Sequence, residues 1–405
     1  MTAQTAQAHD APLASPATAG GLTRSGALRL DAIDMLRGLV ICLMVLDHVR
    51  DFFHAGSFDP LDLSQTSPAL FATRWITHFC APTFVFLSGV SAYLQHANGK
   101  PTPSLSRFLL TRGLWLIFLE LTLINIGWQF VPALVFLQVI WAIGVSMVVL
   151  SALVWLPHRA VLALGVLIVA GHNLLDGITP ESLGAAAPLW NLLHVTGVAL
   201  VAGIPVLFAY PVLPWMGIML LGYGLGGVFT KEQPARNRSL LLIGGGMFAL
   251  FVLLRFLAVY GDPNAWQGHP ELWKTVGDFI DVLKYPPSFL YVLVTIGLAL
   301  MFIPLLEKLR GPPASVLLAF GRTPLFTYVL HIYIAHLLAL ATGVALGFPA
   351  QSLLNPFFVG APDGWGFNLA ITYGVWLLVL AILYPLAKWF EGVKRRRRDW
   401  WLGYL

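Results

Sequence analysis

IDMLRGLVICLMVLDHVRDFFHAG, residues 33–56, is apolar enough to cross a bilayer and yet carries Asp34, Arg37, Asp47, His48, Arg50, Asp51 and His54. A spanning helix needs about 20 mostly apolar residues to traverse about 30 Å of hydrocarbon. Ionisable groups inside such a helix are costly and mark function by default. Arg37 and His48 are eleven positions apart, roughly 16 Å along a helix axis. The arginine therefore belongs at one membrane surface and the histidine near mid-membrane or beyond.

The rest of the chain supports a membrane reading. Of 405 residues, 58% are hydrophobic and 11% charged, against about 25% charged in soluble domains. One soluble core cannot bury that apolar fraction. Cys42 and Cys80 both fall in apolar runs, so neither a disulfide framework nor a cysteine-ligated metal is expected, and no metal set is evident. The net charge of +5 is not a nucleic-acid signal, because its largest contribution is the run Lys394 to Arg398 directly after an apolar stretch. That run reads as an anchor to anionic lipid.

Candidate spans are 33–53, 70–95, 106–125, 131–156, 159–174, 211–229, 238–259, 287–307, 314–340 and 366–390. The fold class is thus an all-α polytopic membrane bundle of about ten helices. Residues 186–209 are nearly apolar enough for another. Ten spans from a cytoplasmic start keep Lys100, Arg107, Arg112, Lys231, Arg236, Lys308, Arg310, Arg322 and the 394–398 run on the inner side. An eleventh span would put the arginine-rich end outside, against the positive-inside rule. Residues 175–210 are therefore expected to be an outer, amphipathic or re-entrant segment, suited to a lid. The expected organisation is a disordered cytoplasmic tail at 1–28, a membrane domain at 29–393 and a basic cytoplasmic tail at 394–405.

The charged residues suggest a site. Asp47 and His48, adjacent on a helix, point about 100° apart. Asp51, three residues beyond His48, is the better orienting carboxylate. In TRWITHFCAPTFVFLSGVSAYLQ (73–95), His78 lies at about the depth of His48, and a kink at Pro82 would help open a shared cavity. AFGRTPLFTYVLHIYIAHLL (319–338) adds Arg322, Tyr328, His331 and His336, and KYPPSFLYVLVT (284–295) adds Lys284, Tyr285, Ser288 and Tyr291 at the outer mouth. A histidine beside a carboxylate suits proton transfer near neutral pH. An ion or solute pathway, or structural pairing of Asp47, Arg50 and Asp51, suits these residues as well. His331 and His336 taken alone read as satisfied intramembrane histidines. The string GYGLGG at 222–227 lies in an apolar span with no strand before it, so it reads as close helix packing rather than a nucleotide loop.

RLDAIDMLRGLVICLMVLDHVRDFF (29–53), HFCAPTFVFLSGVSA (78–92), YPVLPWMGIMLLGYGLG (210–226), KYPPSFLYVL (284–293), FGRTPLFTYVLHIYIAH (320–336) and the terminal WWLGYL together resemble the bacterial family of the heparan-α-glucosaminide N-acetyltransferase catalytic domain. Related type-three membrane O-acyltransferases carry a basic residue, ten residues and then a histidine in the first span, a pattern that Arg37 and His48 match. The resemblance implies an integral protein of a bacterial inner membrane, with both termini cytoplasmic. It implies transfer of an acyl group, expected to be acetyl, from cytoplasmic acyl-CoA to a sugar or other envelope acceptor reached from the opposite side. Arg37 and Arg322 would meet the CoA phosphates; His48, with Asp47, Asp51 and His78, would carry catalysis; Arg50, Lys284, Tyr285 and His331 would contact the acceptor. The lysosomal member has asparagine at the position of His48 and a histidine in the following loop. Residues 57–75 have none, so the role falls to His48 or His78. The partners implied are the acyl-CoA donor, a saccharide or envelope acceptor and the lipid bilayer, with a homodimer left open. A transporter or flippase for a polar or lipid-linked solute stands as the alternative, though the inverted repeats common in such proteins are not visible.

Overall fold

The structure is a computed structural model that describes residues 30–56, 58–397 and 399–404. The expected tail at 1–28 lies outside the described residues. Helix α1 (Asp31–Phe53) runs through the middle of the bundle, and it is followed by α2 (Pro68–Ile76), which a 3₁₀ turn joins to α3 (Cys80–Ala97). Helix α4 (Thr102–Leu119) passes through a π turn at Glu120–Ile124 into α5 (Asn125–Trp128). Strand β1 (Val135–Leu137) then leads to α6 (Val139–Leu153) and α7 (His158–Gly171). After α8 (Ala187–Leu193) come β2 (Gly197–Val201) and β3 (Ile204–Phe208). Helices α9 (Val212–Phe229), α10 (Gln233–Leu257), the short α11 (Leu272–Ile280) and α12 (Phe289–Leu306) follow. The chain ends with α13 (Gly311–Arg322), α14 (Pro324–Ala345), the one-turn α15 (Pro356–Val359) and α16 (Leu369–Arg396).

Among the described residues, 8 helical segments are long and apolar enough to cross a membrane. The 15-residue apolar helix α6 and the charge-bearing α1 pack among them. Each of the ten expected spans overlaps at least one helix, though 70–95 takes in both α2 and α3, 131–156 begins with β1 before α6, and 314–340 is divided. Local chemistry sets several boundaries. Ser67, Ser288 and Asn368 cap α2, α12 and α16 by accepting from the backbone N–H of Leu70, Tyr291 and Ile371. Thr323 (φ −127°, ψ 44°) breaks α13 from α14, because the following Pro324 disfavours helical backbone at the residue before it. The expected single span at 314–340 is therefore two helices.

Helix α1 packs on α3, α12, α13, α14 and α16. That central position explains how its charges are kept from lipid. The outer helices α10 and α16 instead expose Leu242, Phe256, Leu377 and Trp389, as a lipid-facing surface requires. Residues 186–209 do not span. They form α8 and an antiparallel β2–β3 hairpin, to which β1 adds in parallel, giving the order β1-β3-β2. The glycines of GYGLGG are packing contacts: a Cβ on Gly222 would lie 2.0 Å from the Phe86 carbonyl oxygen of α3.

Helix α16 continues to Arg396, and Trp400–Tyr404 folds onto α4 with Leu402 buried. There the Tyr404 hydroxyl bonds the Thr111 hydroxyl at 2.7 Å, and Arg112 donates to the Gly403 carbonyl.

Candidate active site

Two cavities meet inside the bundle. The larger, about 260 Å³, is bordered by Arg37, Arg112, Arg322 and Lys394, with Ser88, Ser91 and Gln95 beside them, and by Ile140, Ile143 and Met147 among its apolar walls. The smaller, about 30 Å³, is lined by Met44, Asp47, His48, Thr77, Cys80, Gln138, Tyr210 and Lys284. Phe84 and Val139 line both. They form the partition between a basic-mouthed chamber and a histidine-bearing one.

Arg37 Nη1 donates to Asp34 Oδ1 at 2.8 Å and Nη2 to the Ser91 hydroxyl at 3.0 Å. Arg322 is held by Glu391 at 2.7 Å and Asp31 at 2.8 Å. Both guanidinium groups thus stand at the larger cavity in fixed orientations, with N–H groups of a kind that binds phosphate oxygens bidentately.

His48 is oriented differently from the expectation. The carboxylates beside it are committed elsewhere: Asp47 accepts from Arg50 at 2.9 Å and from Arg74 at 2.8 Å, while Asp51 accepts from Arg50 at 2.6 Å. Two acids and two arginines neutralise one another, which is what low-dielectric surroundings demand of buried charge. The partner of His48 is His331, whose Nε2 lies 2.6 Å from His48 Nδ1. His331 Nδ1 lies 3.2 Å from the Thr327 carbonyl. A carbonyl only accepts, so His331 Nδ1 carries the proton and its Nε2 accepts from His48 Nδ1–H. His48 Nε2 is thereby left as a lone pair at the smaller cavity.

His78 does not join this pair. Both of its ring nitrogens are buried without hydrogen bonds, and its ring packs edge-on against Tyr291 at 5.6 Å. Lys284 lines the smaller cavity, whereas Tyr285 lies behind its wall with its hydroxyl 3.2 Å from that of Tyr210, which does line it. Arg50 is spent on its ion pairs. The ring nitrogens of His336 face the carbonyls of Gly127 and Leu353, both at 2.9 Å, and its N–H donates to one of them, whereas His331 is part of the site.

Several site residues were not singled out from the sequence. Trp128 packs edge-on against His48 with ring centroids 4.7 Å apart. Its indole N–H and the Tyr328 hydroxyl are buried neighbours, and neither makes a hydrogen bond of normal geometry. Glu120 is fully buried on the π turn, where one carboxylate oxygen accepts from the Trp141 N–H at 2.9 Å and the other has no partner. Its signal was available, as the one acid in the third apolar span. Gln138 and Tyr210 lie in segments of ordinary apolar composition and gave none.

A membrane-embedded helix bundle with a histidine on the smaller of two adjoining cavities is the class that fold and site define. The profile of the heparan-alpha-glucosaminide N-acetyltransferase catalytic family matches residues 29–260. The chain belongs to that family, and so to the membrane acetyltransferases. No curated protein matches the chain.

Proposed function

We propose that this protein transfers an acetyl group from acetyl-CoA, held in the larger cavity, to an amine or hydroxyl of a saccharide or other envelope acceptor that approaches through the smaller one. The single observation that carries this reading is the lone pair of His48 Nε2, held on the smaller cavity by the His331 relay. Arg37 and Arg322 bind the CoA phosphates, and the pantetheine arm extends along the apolar wall toward Phe84. The basic end of the bundle is the cytoplasmic one, since cations there follow the positive-inside rule.

His48 Nε2 takes the proton of the acceptor group as its nitrogen or oxygen bonds the thioester carbonyl carbon. The C–S bond then breaks, and the departing CoA thiolate takes the proton back from His48. The Tyr328 O–H, with the Trp128 N–H directed at its oxygen, stabilises the carbonyl oxygen as it gains charge; preorganised donors of this kind commonly contribute more to acyl transfer than any other single effect. Holding both reactants supplies the entropic part of the rate enhancement. Proton transfer by the histidine contributes typically 10²–10⁴-fold.

The test is twofold. Calorimetry with acetyl-CoA should give specific binding that Arg37→Ala weakens roughly 10- to 100-fold, as expected for loss of charge-assisted bonds of about 1.5–3 kcal/mol. Thiol release in the presence of amino sugars should vanish in His48→Ala protein that still binds acetyl-CoA. Full turnover in that variant would remove His48 from the mechanism.

A further inference from the structure

Away from the two cavities, His172, Asp176 and His194 bring one donor atom each to a common point, all within 4.8 Å of one another. Nothing in acetyl transfer uses them. His172 follows the last turn of α7, Asp176 lies one turn on, and His194 ends α8. His172 is 1% exposed and His194 fully buried. Neither ring nitrogen of His172 makes a hydrogen bond of normal geometry, nor does Nδ1 of His194. Buried polar atoms are satisfied as a rule. Two neutral imidazoles that meet at 5.5 Å between centroids carry one lone-pair nitrogen each, and neither lone pair has a partner of normal geometry among the described residues.

We infer that His172, Asp176 and His194 bind a divalent transition-metal ion, zinc by preference. Two imidazole nitrogens and one carboxylate oxygen are a donor set zinc takes at about 2.0–2.2 Å, with solvent in the fourth position. Tetrahedral bonds of that length put donor atoms about 3.3 Å apart. The His194 Nε2 to Asp176 Oδ1 separation is already 3.1 Å, so closure needs side-chain adjustment and a shift of the His194 proton from Nε2 to the unpartnered Nδ1. The surroundings orient the donors as ligands usually are oriented. Asn173 donates to the other Asp176 oxygen at 2.9 Å, and the Pro287 carbonyl lies beside the His172 ring. Asp176 is exposed, which gives the ion a path from solvent.

The ion ties the end of α7 to the end of α8. It thereby pins the α8–β2–β3 segment, which leads straight into Tyr210 on the wall of the smaller cavity. Metal binding of this kind contributes to stability by mass action, and its effect does not depend on the reaction the protein performs.

Detergent-purified full-length protein, stripped with chelator and desalted, would be titrated with zinc alone and with cobalt(II) alone. We expect one zinc per chain by elemental analysis and a thermal midpoint that rises with zinc concentration. Cobalt should give the visible bands of a tetrahedral site. His172→Ala/His194→Ala protein should lose all three. Should that variant fail to fold, Asp176→Ala, altered only at the exposed ligand, should weaken zinc binding at least tenfold, and the cobalt spectrum of unaltered protein stands without any variant. Unaltered protein that binds neither ion, gives an octahedral cobalt spectrum, or loses nothing in the variants overturns the inference.

Discussion

At the scale of single residues, the site turns on which atoms have partners and which do not. Tyr328→Phe removes one hydroxyl that makes no hydrogen bond of normal geometry and whose neighbour is the Trp128 N–H. For a structural role alone, that change should cost stability and leave kcat nearly as it was. If the hydroxyl donates to the thioester oxygen, kcat should instead fall about 10²–10³-fold, the usual cost of one oxyanion donor, with the Kd for acetyl-CoA unchanged. Steady-state kinetics beside calorimetry separates the two results, and an unchanged kcat would strip Tyr328 of the role. A second residue-level effect lies in the loops. Burial, and then the nearby carboxylates of Asp59 and Asp262, push the Asp281 carboxyl up from 3.8 to about 7. The folded protein therefore holds a proton that the unfolded chain has already lost across that window. Stability should fall as pH rises from about 4 to about 7 and change no further above it. Asp281→Asn should raise the thermal midpoint at pH 8, leave it unaltered near pH 4, and flatten the slope between. An identical slope in that variant would place the titration elsewhere.

At the scale of elements, close helix contacts bring the two arginines together. A Cβ on Gly321 would stand 1.7 Å from the Asp34 carbonyl oxygen, and one on Gly38 1.9 Å from that of Leu317. Helices α1 and α13 therefore touch backbone to backbone, and Arg37 and Arg322 extend from either side of that contact. Gly321→Ala must push the helices apart, at the roughly 1–3 kcal/mol typical of overpacking or more. The expected outcome is a lower thermal midpoint together with weaker acetyl-CoA binding. Gly245→Ala on α10, where an added Cβ meets nothing within 4 Å, should be neutral or stabilising by up to about 1 kcal/mol. Equal effects from both substitutions would contradict the packing argument. Elements of this kind were largely legible in the sequence: the apolar runs marked the helices, and charge placement excluded a span at 186–209. The β2–β3 hairpin was not legible, since a short apolar run reads alike as strand or buried helix. The orientation of His48 was misjudged for a related reason. Helical spacing puts Asp51 on its face and also offers the pairing of Asp47, Arg50 and Asp51 that the structure adopts, but it carries no information about Arg74 or about His331, 283 residues distant in the chain.

At the scale of the whole molecule, the proposed reaction depends on two adjoining cavities that share Phe84 and Val139. The smaller, about 30 Å³, has room for about one water molecule, so in this state neither a solute nor more than the reacting group of an acceptor fits it. A reacting carbonyl needs only to reach the partition. Phe84 sits on both chambers, and its size therefore sets what crosses between them. Phe84→Trp should block the thioester's advance, lowering acetyl transfer at least tenfold while acetyl-CoA binding, governed by Arg37 and Arg322 at the other end, stays as it was. Phe84→Ala should act in the opposite sense: an opened partition admits water to the thioester, and acetyl-CoA should be hydrolysed without acceptor at a rate the unaltered protein does not show. That hydrolysis should itself disappear when His48→Ala is added, because water then lacks its base. A transporter with the same partition would behave otherwise. Widening it would speed solute flux across vesicles and release no CoA thiol, so measuring thiol release and flux on the same two variants decides between a barrier to chemistry and a barrier to passage.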